Sequence, residues 1–232
     1  MLYTEQNVRD NIRNRDGKRV FFLSKADQLT SGARDYLRRE RIEIRSAETA
    51  KIEVYRLPDG STLTEKPEHM THLHGDVLVR KTHPRIAFRG AVDLLEADLM
   101  LCQLNVPAFR KELGEILTLA RMLIRCDVMN EPVPGRELCG LKEEQIRQQS
   151  HRPQEFFGQP HFMPEYTDGP EILHLNRCRC IARSAELAAC RAFVDGDGVA
   201  VRPDILQAMN RISSLLYILM IRYKAKGQQN LY

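Results

Sequence analysis

The chain lacks tryptophan and is poor in aromatic residues, 6% of its 232 positions, which disfavours a β-sandwich core. It has no run of about eighteen uncharged apolar residues, so no membrane span is expected. The opening MLYTEQNVRD lacks the basic-then-apolar pattern of an export signal, and a cytoplasmic protein is expected. No cysteine occurs before Cys102, and the six present (Cys102, Cys126, Cys139, Cys178, Cys180, Cys190) then read as reduced thiols. Strong charge is missing too. Lys and Arg total 35 against 31 Asp and Glu, a formal charge of +4. That permits a polyanionic ligand, but without basic–aromatic interleaving it argues against a nucleic-acid partner. There is no Walker A pattern, no GxGxxG, no internal repeat and no low-complexity tract.

What remains is an ordinary globular composition, 43% hydrophobic and 28% charged, long enough for one domain and a small appendage. The first part reads as α/β. RVFFLS (Arg19–Ser24) predicts a strand, Leu29–Ile44 a helix followed by a strand, and Lys51–Lys66 two strands around the turn Pro58-Asp59-Gly60. From Pro84 the helical period takes over. Long amphipathic helices are predicted over Pro84–Asn105, Ala108–Met129, Glu171–Phe193 and Arg202–Tyr223, with a short one in LKEEQIRQQSH and a Pro/Gly-rich connector over His151–Pro170. The expected fold is mainly α: a four- or five-helix bundle over residues 66–232, preceded by a small α/β region over 1–65.

Polar stripes run along these helices. On the last one, Gln207, Asn210, Ser214 and Tyr217 share a face, flanked by Arg211 and Ser213, while Ile205, Met209, Ile212, Leu216 and Leu219 form a separate apolar stripe. Short polar groups on so apolar a helix predict either a polar subunit interface or a partly buried anion site. Arg179, Arg183 and Glu186 share a face of the third long helix. Arg85, Arg89, Asp93 and Glu96 share one on the first, where a solvated face with an Arg89–Asp93 surface pair is expected. Two clusters admit a metal: His69, His72, His74 and His83 ahead of the first helix, and Cys178-Arg-Cys180. Both read at least as well as loop histidines and core or helix-face cysteines, and no Cys-ligated metal is expected. Thr71 and Lys81 suit phosphate contacts. Phe156, Phe157, Phe162 and Met163 in the connector read either as a wall for a flat ligand or as loop anchors.

The segments TEKPEHMTHL, VRKTHPRIAFRGAVDLLEADL and VRPDILQAMNRISSLLYILMI resemble the ATP:corrinoid (cobalamin) adenosyltransferases, above all the ethanolamine-utilisation (EutT-like) branch, which is related to the PduO-type family. Ser150–Pro153 and the R-x-x-E of Arg183–Glu186 fit that branch, and the resemblance covers nearly the whole chain. It implies a helical bundle that assembles as a homo-oligomer, a trimer favoured, with ATP between subunits. It implies transfer of the 5′-deoxyadenosyl group of Mg-bound ATP to the reduced cobalt of cobalamin or another corrinoid. It places Lys66, Thr71, His72, Lys81, Arg179, Arg183, Glu186, Asn210, Arg211 and Ser214 at ATP, with Arg183 and Asn210 catalytic, and an Asp93–Arg183 pair across the interface. Partners implied are a corrinoid reductase and a B12-dependent lyase, in the cytoplasm or inside a bacterial microcompartment. The chain departs from the pattern in places. PEHM replaces the Gly-Asp-x-Gly of the ATP loop, Leu187 replaces an Arg, and Ser214 replaces an Asp. The branch's His-x-x-x-Cys-Cys-x-x-Cys metal motif is missing, so activity is expected not to need it. The alternative to an enzyme is a non-catalytic corrinoid-binding or microcompartment-associated helical module.

Overall fold

The computed structural model describes every residue except 16–17, 47–53, 136 and 230–232. The part of the expected strand that falls on 51–53 lies outside the described residues. The chain divides into two compact units: Met1–Tyr55 with Thr62–Glu65, and Arg56–Ser61 with Lys66–Tyr232.

The first unit contains β1 (Leu2–Tyr3), α1 (Glu5–Asp10), β2 (Arg13–Arg15), β3 (Lys18–Leu23), β4 (Gln28–Leu29), α2 (Ser31–Arg39) and β5 (Glu43–Ser46). β3 runs parallel to β5 and antiparallel to β2. Thr30 caps α2 by accepting from the Ala33 amide, which satisfies one of the orphan donors of a helix start. Ala33, Tyr36 and Leu37, at helical spacing, bury against Val8, Phe21, Leu29 and Ile42. The strand and helix expected over Arg19–Ile44 are therefore present as β3 and α2.

Two short strands, β6 (Tyr55–Arg56) and β7 (Thr62–Leu63), flank the Pro58-Asp59-Gly60 turn. The second unit then opens on a hairpin that sequence reasoning did not anticipate: β8 (Met70–His74) and β9 (Val77–Arg80). Thr71 faces Val79 and His72 faces Leu78. Gly75, at φ +50°, makes the turn in a region that favours glycine. The register shifts between His72 and His74, so the strict alternation that would mark a strand is broken.

Three of the long helices end within two residues of the expected bounds; the last continues six residues past the expected Tyr223, and a short helix over Pro153–Phe157 interrupts the expected connector. The helices are α3 (Pro84–Asn105), α4 (Arg110–Met129), α5 (Glu143–His151), α6 (Pro153–Phe157), α7 (Pro170–Phe193) and α8 (Pro203–Gln229). Pro84 and Pro170 occupy first-turn positions, where their missing N–H is tolerated, and Asn130 ends α4 in the left-handed conformation. One apolar core joins Phe88, Val92, Leu95 and Leu99 of α3 to Leu113, Ile116 and Leu123 of α4 and to the Ile205–Leu219 stripe of α8. Ala182, Ala185 and Ala189 give α7 a small-residue face, which lets it pack closely against its neighbours. Truncating Leu99 or Leu216 to Ala in such a core costs about 2–5 kcal/mol.

The expectation of a solvated face on α3 is corrected at Arg85 and Arg89, while Asp93 on the same face stays exposed. Asp127 on α4 is fully buried, and it accepts from both Arg85 Nε and Arg89 Nε at 2.7 Å. Arg89 therefore pairs across the bundle rather than with Asp93. Its other guanidinium nitrogens donate to the Leu73 carbonyl at 2.7 Å and the His72 carbonyl at 3.3 Å. A buried carboxylate needs such compensation, and the second arginine it recruits fastens the hairpin to α3. At the same end of the bundle Arg202 donates to the Glu131 carbonyl and pairs with Asp204, which accepts from the Val133 amide. The Arg202 pairing holds the Asp204 carboxyl down to about 2.

Candidate functional site

Helical spacing places Asn210, Ser213, Ser214 and Tyr217 on one side of α8, and Arg179, Arg183 and Glu186 on one side of α7. The two sides meet around a polar cavity of about 430 Å³, completed by Ser150 and His151 of α5 and by His161 of the connector. That volume suits a small-molecule ligand. Asn210 Nδ2 donates to Glu186 Oε1 at 2.8 Å, and Ser213 Oγ lies 3.5 Å from Glu186 Oε2. The carboxylate thus fixes the amide from the facing helix. Arg179 is steadied by the Asn176 side chain at 3.1 and 3.2 Å and stands over the Tyr217 ring. Arg183 is exposed and makes no ion pair among the described residues. Two guanidinium groups against one committed carboxylate leave the wall with positive charge for an anion.

His161 closes the cavity. Its Nε2 lies 3.2 Å from the His151 carbonyl and its Nδ1 2.7 Å from the Tyr217 hydroxyl. A carbonyl only accepts, so Nε2 carries the proton and, in the neutral ring, Nδ1 accepts from Tyr217. Burial pushes the Tyr217 phenol above its ordinary value, which keeps that proton in place. The two rings stack at 5.7 Å. This contact binds connector to α8.

The cavity gathers Arg179, Arg183, Glu186, Asn210 and Ser214 from the residues proposed on sequence grounds. It adds Ser150, His151, His161, Ser213 and Tyr217. Tyr217 and Ser213 belonged to the α8 pattern, while His161 gave no periodic signal. The cavity does not include Lys66, Thr71, His72 or Lys81. These ride on the hairpin and its flanks, where Lys81 pairs with Glu68 at 3.1 Å. Nor does it include Arg211, whose Nε is sealed from solvent without a hydrogen-bond partner. Arg183 lies ten residues, about 15 Å, along α7 from Phe193, and Phe193 packs on Phe88 and Arg85 at the hairpin end. The two groups therefore occupy different regions of one copy. Asp93 and Arg183 are both exposed and share no ion pair among the described residues.

In the connector, Phe157 and Phe162 pack on the core, with Lys224 Nζ 4.2 Å from the Phe162 ring centre, whereas Phe156 and Met163 face outward. Among the described residues no group of three or more His, Cys, Asp or Glu side chains is placed to hold a metal ion. Cys178 is buried and Cys180 exposed, on nearly opposite sides of α7. No helix among the described residues is long and apolar enough to cross a membrane.

A helical bundle with a polar cavity cut between two of its long helices, two arginines and a carboxylate on one side and amide and hydroxyl groups on the other, is an α fold whose cavity suits an anionic small molecule. The chain belongs to the cobalamin adenosyltransferase family, whose model matches residues 62–223. It is 33% identical over 165 residues to the corrinoid adenosyltransferase EutT of Salmonella typhimurium, covering 71% of this chain and 62% of that protein. It is 32% identical over 160 residues to EutT of Escherichia coli, covering 68% of this chain and 60% of that one. The chain thus spans less than two thirds of the length of these curated relatives. A variant PduO-type ATP:corrinoid adenosyltransferase from Lactobacillus reuteri, solved with cobalamin and ATP, aligns with a TM-score of 0.49 and 16% identity over 79% of this chain and 91% of that one.

Proposed function

We propose that the chain transfers the 5′-deoxyadenosyl group of ATP to the reduced cobalt of a corrinoid. The observation that carries this reading is the convergence of Arg179, Arg183, Glu186 and Asn210 on one cavity, in a chain of the cobalamin adenosyltransferase family. The cobalt lone pair forms the Co–C5′ bond, the C5′–O bond breaks, and the triphosphate leaves with the electron pair. No proton need pass through the protein, so its work is positioning and charge stabilisation. Arg179 and Arg183 hold the phosphates of Mg-bound ATP and offset the charge that grows on the leaving group. Glu186 orients Asn210 so that its remaining amide groups face the nucleotide. Of the four connector residues, the exposed Phe156 and Met163 supply the apolar side toward the corrinoid, while Phe157 and Phe162 anchor the connector to the core. Replacing Asn210 with Ala tests the assignment: turnover falls about 100-fold while corrinoid binding is retained. Unchanged turnover, or joint loss of corrinoid binding, overturns it.

The site is completed by a second copy. Gly90, Leu94, Ala97, Leu101 and Leu104 repeat along the exposed side of α3, with Leu104 at 72% exposure. A contiguous apolar helix face calls for a partner surface. Asp93 on that side complements Arg183, which is exposed and makes no ion pair among the described residues. A homo-oligomer, a trimer favoured, would let Lys66, Thr71, His72 and Lys81 of one copy face the cavity of the next. Residues 1–65 act as a separate α/β region, supported by their own apolar cluster, and a corrinoid reductase and a B12-dependent lyase are the partners this chemistry calls on. The setting this reading implies is the cytoplasm or a bacterial microcompartment, as for the ethanolamine-utilisation branch it resembles.

A further inference from the structure

A second cavity, of about 510 Å³, adjoins the polar one, and His151 belongs to both walls. Its other walls are Glu144, Arg147, Gln148, Arg152 and Phe156. Adenosyl transfer, as derived above, leaves both arginines without a task. Arg147 makes no ion pair among the described residues. Arg152 meets Glu155 at 3.7 Å, an exposed pair that water screens. Five residues apart on a straight helix, the two would point about 140° away from each other. The break between α5 and α6 at Arg152-Pro153 brings both to one wall. Phe156 adds a ring at 47% exposure, tilted against Phe157, and Gln148 adds an amide.

We propose that this cavity holds the phosphodiester tail of a complete corrinoid. The proposal rests on the adenosyl-transfer reading and extends it to substrate selection. Two guanidinium forks suit a phosphodiester, each able to donate parallel charge-assisted hydrogen bonds. The Phe156 ring and the Gln148 amide suit the flat, amide-fringed body that carries the tail. The nucleotide lies on the other side of His151, so one chain segment separates the two phosphate-bearing ligands.

The test compares cobalamin with cobinamide, which keeps the ring and its amides but lacks the phosphodiester and its base. Wild type, Arg147→Ala, Arg152→Ala and the double variant are titrated with cob(II)alamin and with cob(II)inamide in the presence of Mg-ATP, followed by absorbance. Melting temperatures check that these surface substitutions leave the fold intact. Wild type is expected to bind cobalamin at least tenfold more tightly than cobinamide, and the double variant is expected to bring that ratio close to one. An equal ratio in both proteins, or equal weakening of both corrinoids, overturns the proposal. A tenfold loss of ATP affinity in the double variant assigns the arginines to the nucleotide instead and also overturns it. Turnover is recorded in parallel. A wild type that forms no cobalt–carbon bond with either corrinoid defeats the adenosyl-transfer reading, while the binding ratio still reports on the tail site.

Discussion

Asp127→Asn is the substitution whose consequence the structure fixes most tightly. The change keeps size and removes charge. It leaves the Arg85 and Arg89 guanidinium groups, 21% and 14% exposed, facing each other without their shared anion. Removing one member of a buried ion pair costs about 3–5 kcal/mol. Residual access of water to both arginines sets the expectation at the low end, about 3 kcal/mol. In a protein of this size that lowers Tm by about 6–12 °C. Urea unfolding at neutral pH, read by circular dichroism, measures the difference. The exposed Arg121–Glu96 pair is the control, and Arg121→Ala should cost under about 1 kcal/mol. A loss for Asp127→Asn no larger than the control would show that Asp127 is not a buried anion shared by the two arginines. Because Arg89 also holds the Leu73 and His72 carbonyls, the variant should raise the KM for ATP more than it lowers kcat.

Asp204 titrates at about 2, below its ordinary 3.8, because Arg202 and the Val133 amide favour the charged form. A depressed carboxylate contributes stability that is fully present above about pH 4 and lost as pH falls through its folded value. Asp204→Asn should therefore be about 2 kcal/mol less stable than wild type at pH 7, and urea midpoints should converge between pH 4 and 2; a gap constant across that range contradicts the assignment. Tyr217→Phe keeps the ring but removes the donor to His161, costing about 1 kcal/mol, and amide exchange around His161 should speed up. Unchanged exchange there argues against a latch. Leu104→Glu on the exposed side of α3 should shift the species seen by light scattering toward monomer, and an unaltered mass rules that face out as the interface.

Local periodicity made the bundle legible. A buried helix face repeats every three to four residues, and α3, α4, α7 and α8 each carry that repeat, so the limits of the first three and the start and polar side of α8 are legible; the polar tail past Tyr223 carries no such repeat, and the end of α8 is not. The Arg183–Glu186 spacing put two cavity residues on one face in the same way. Partner choice across the fold was not legible. Nothing within α3 signals that Arg89 will turn to Asp127, 38 residues away, rather than to Asp93 four residues on. The β8–β9 hairpin was hidden because histidines and a register shift obscure its alternation. His161 was hidden because a non-periodic connector places it, and only the folded chain sets its ring against Tyr217.

Formation of a cobalt–carbon bond at the expense of ATP is the proposed activity, and it can be observed directly. Purified protein is mixed with Mg-ATP and chemically reduced cobalamin under strict anaerobiosis, and the absorbance spectrum is followed together with release of triphosphate. The adenosylcobalamin spectrum is expected, stoichiometric with triphosphate or its hydrolysis products and about 100-fold slower to form with Asn210→Ala. A cob(I)alamin spectrum that persists unchanged while ATP remains intact contradicts the proposed activity.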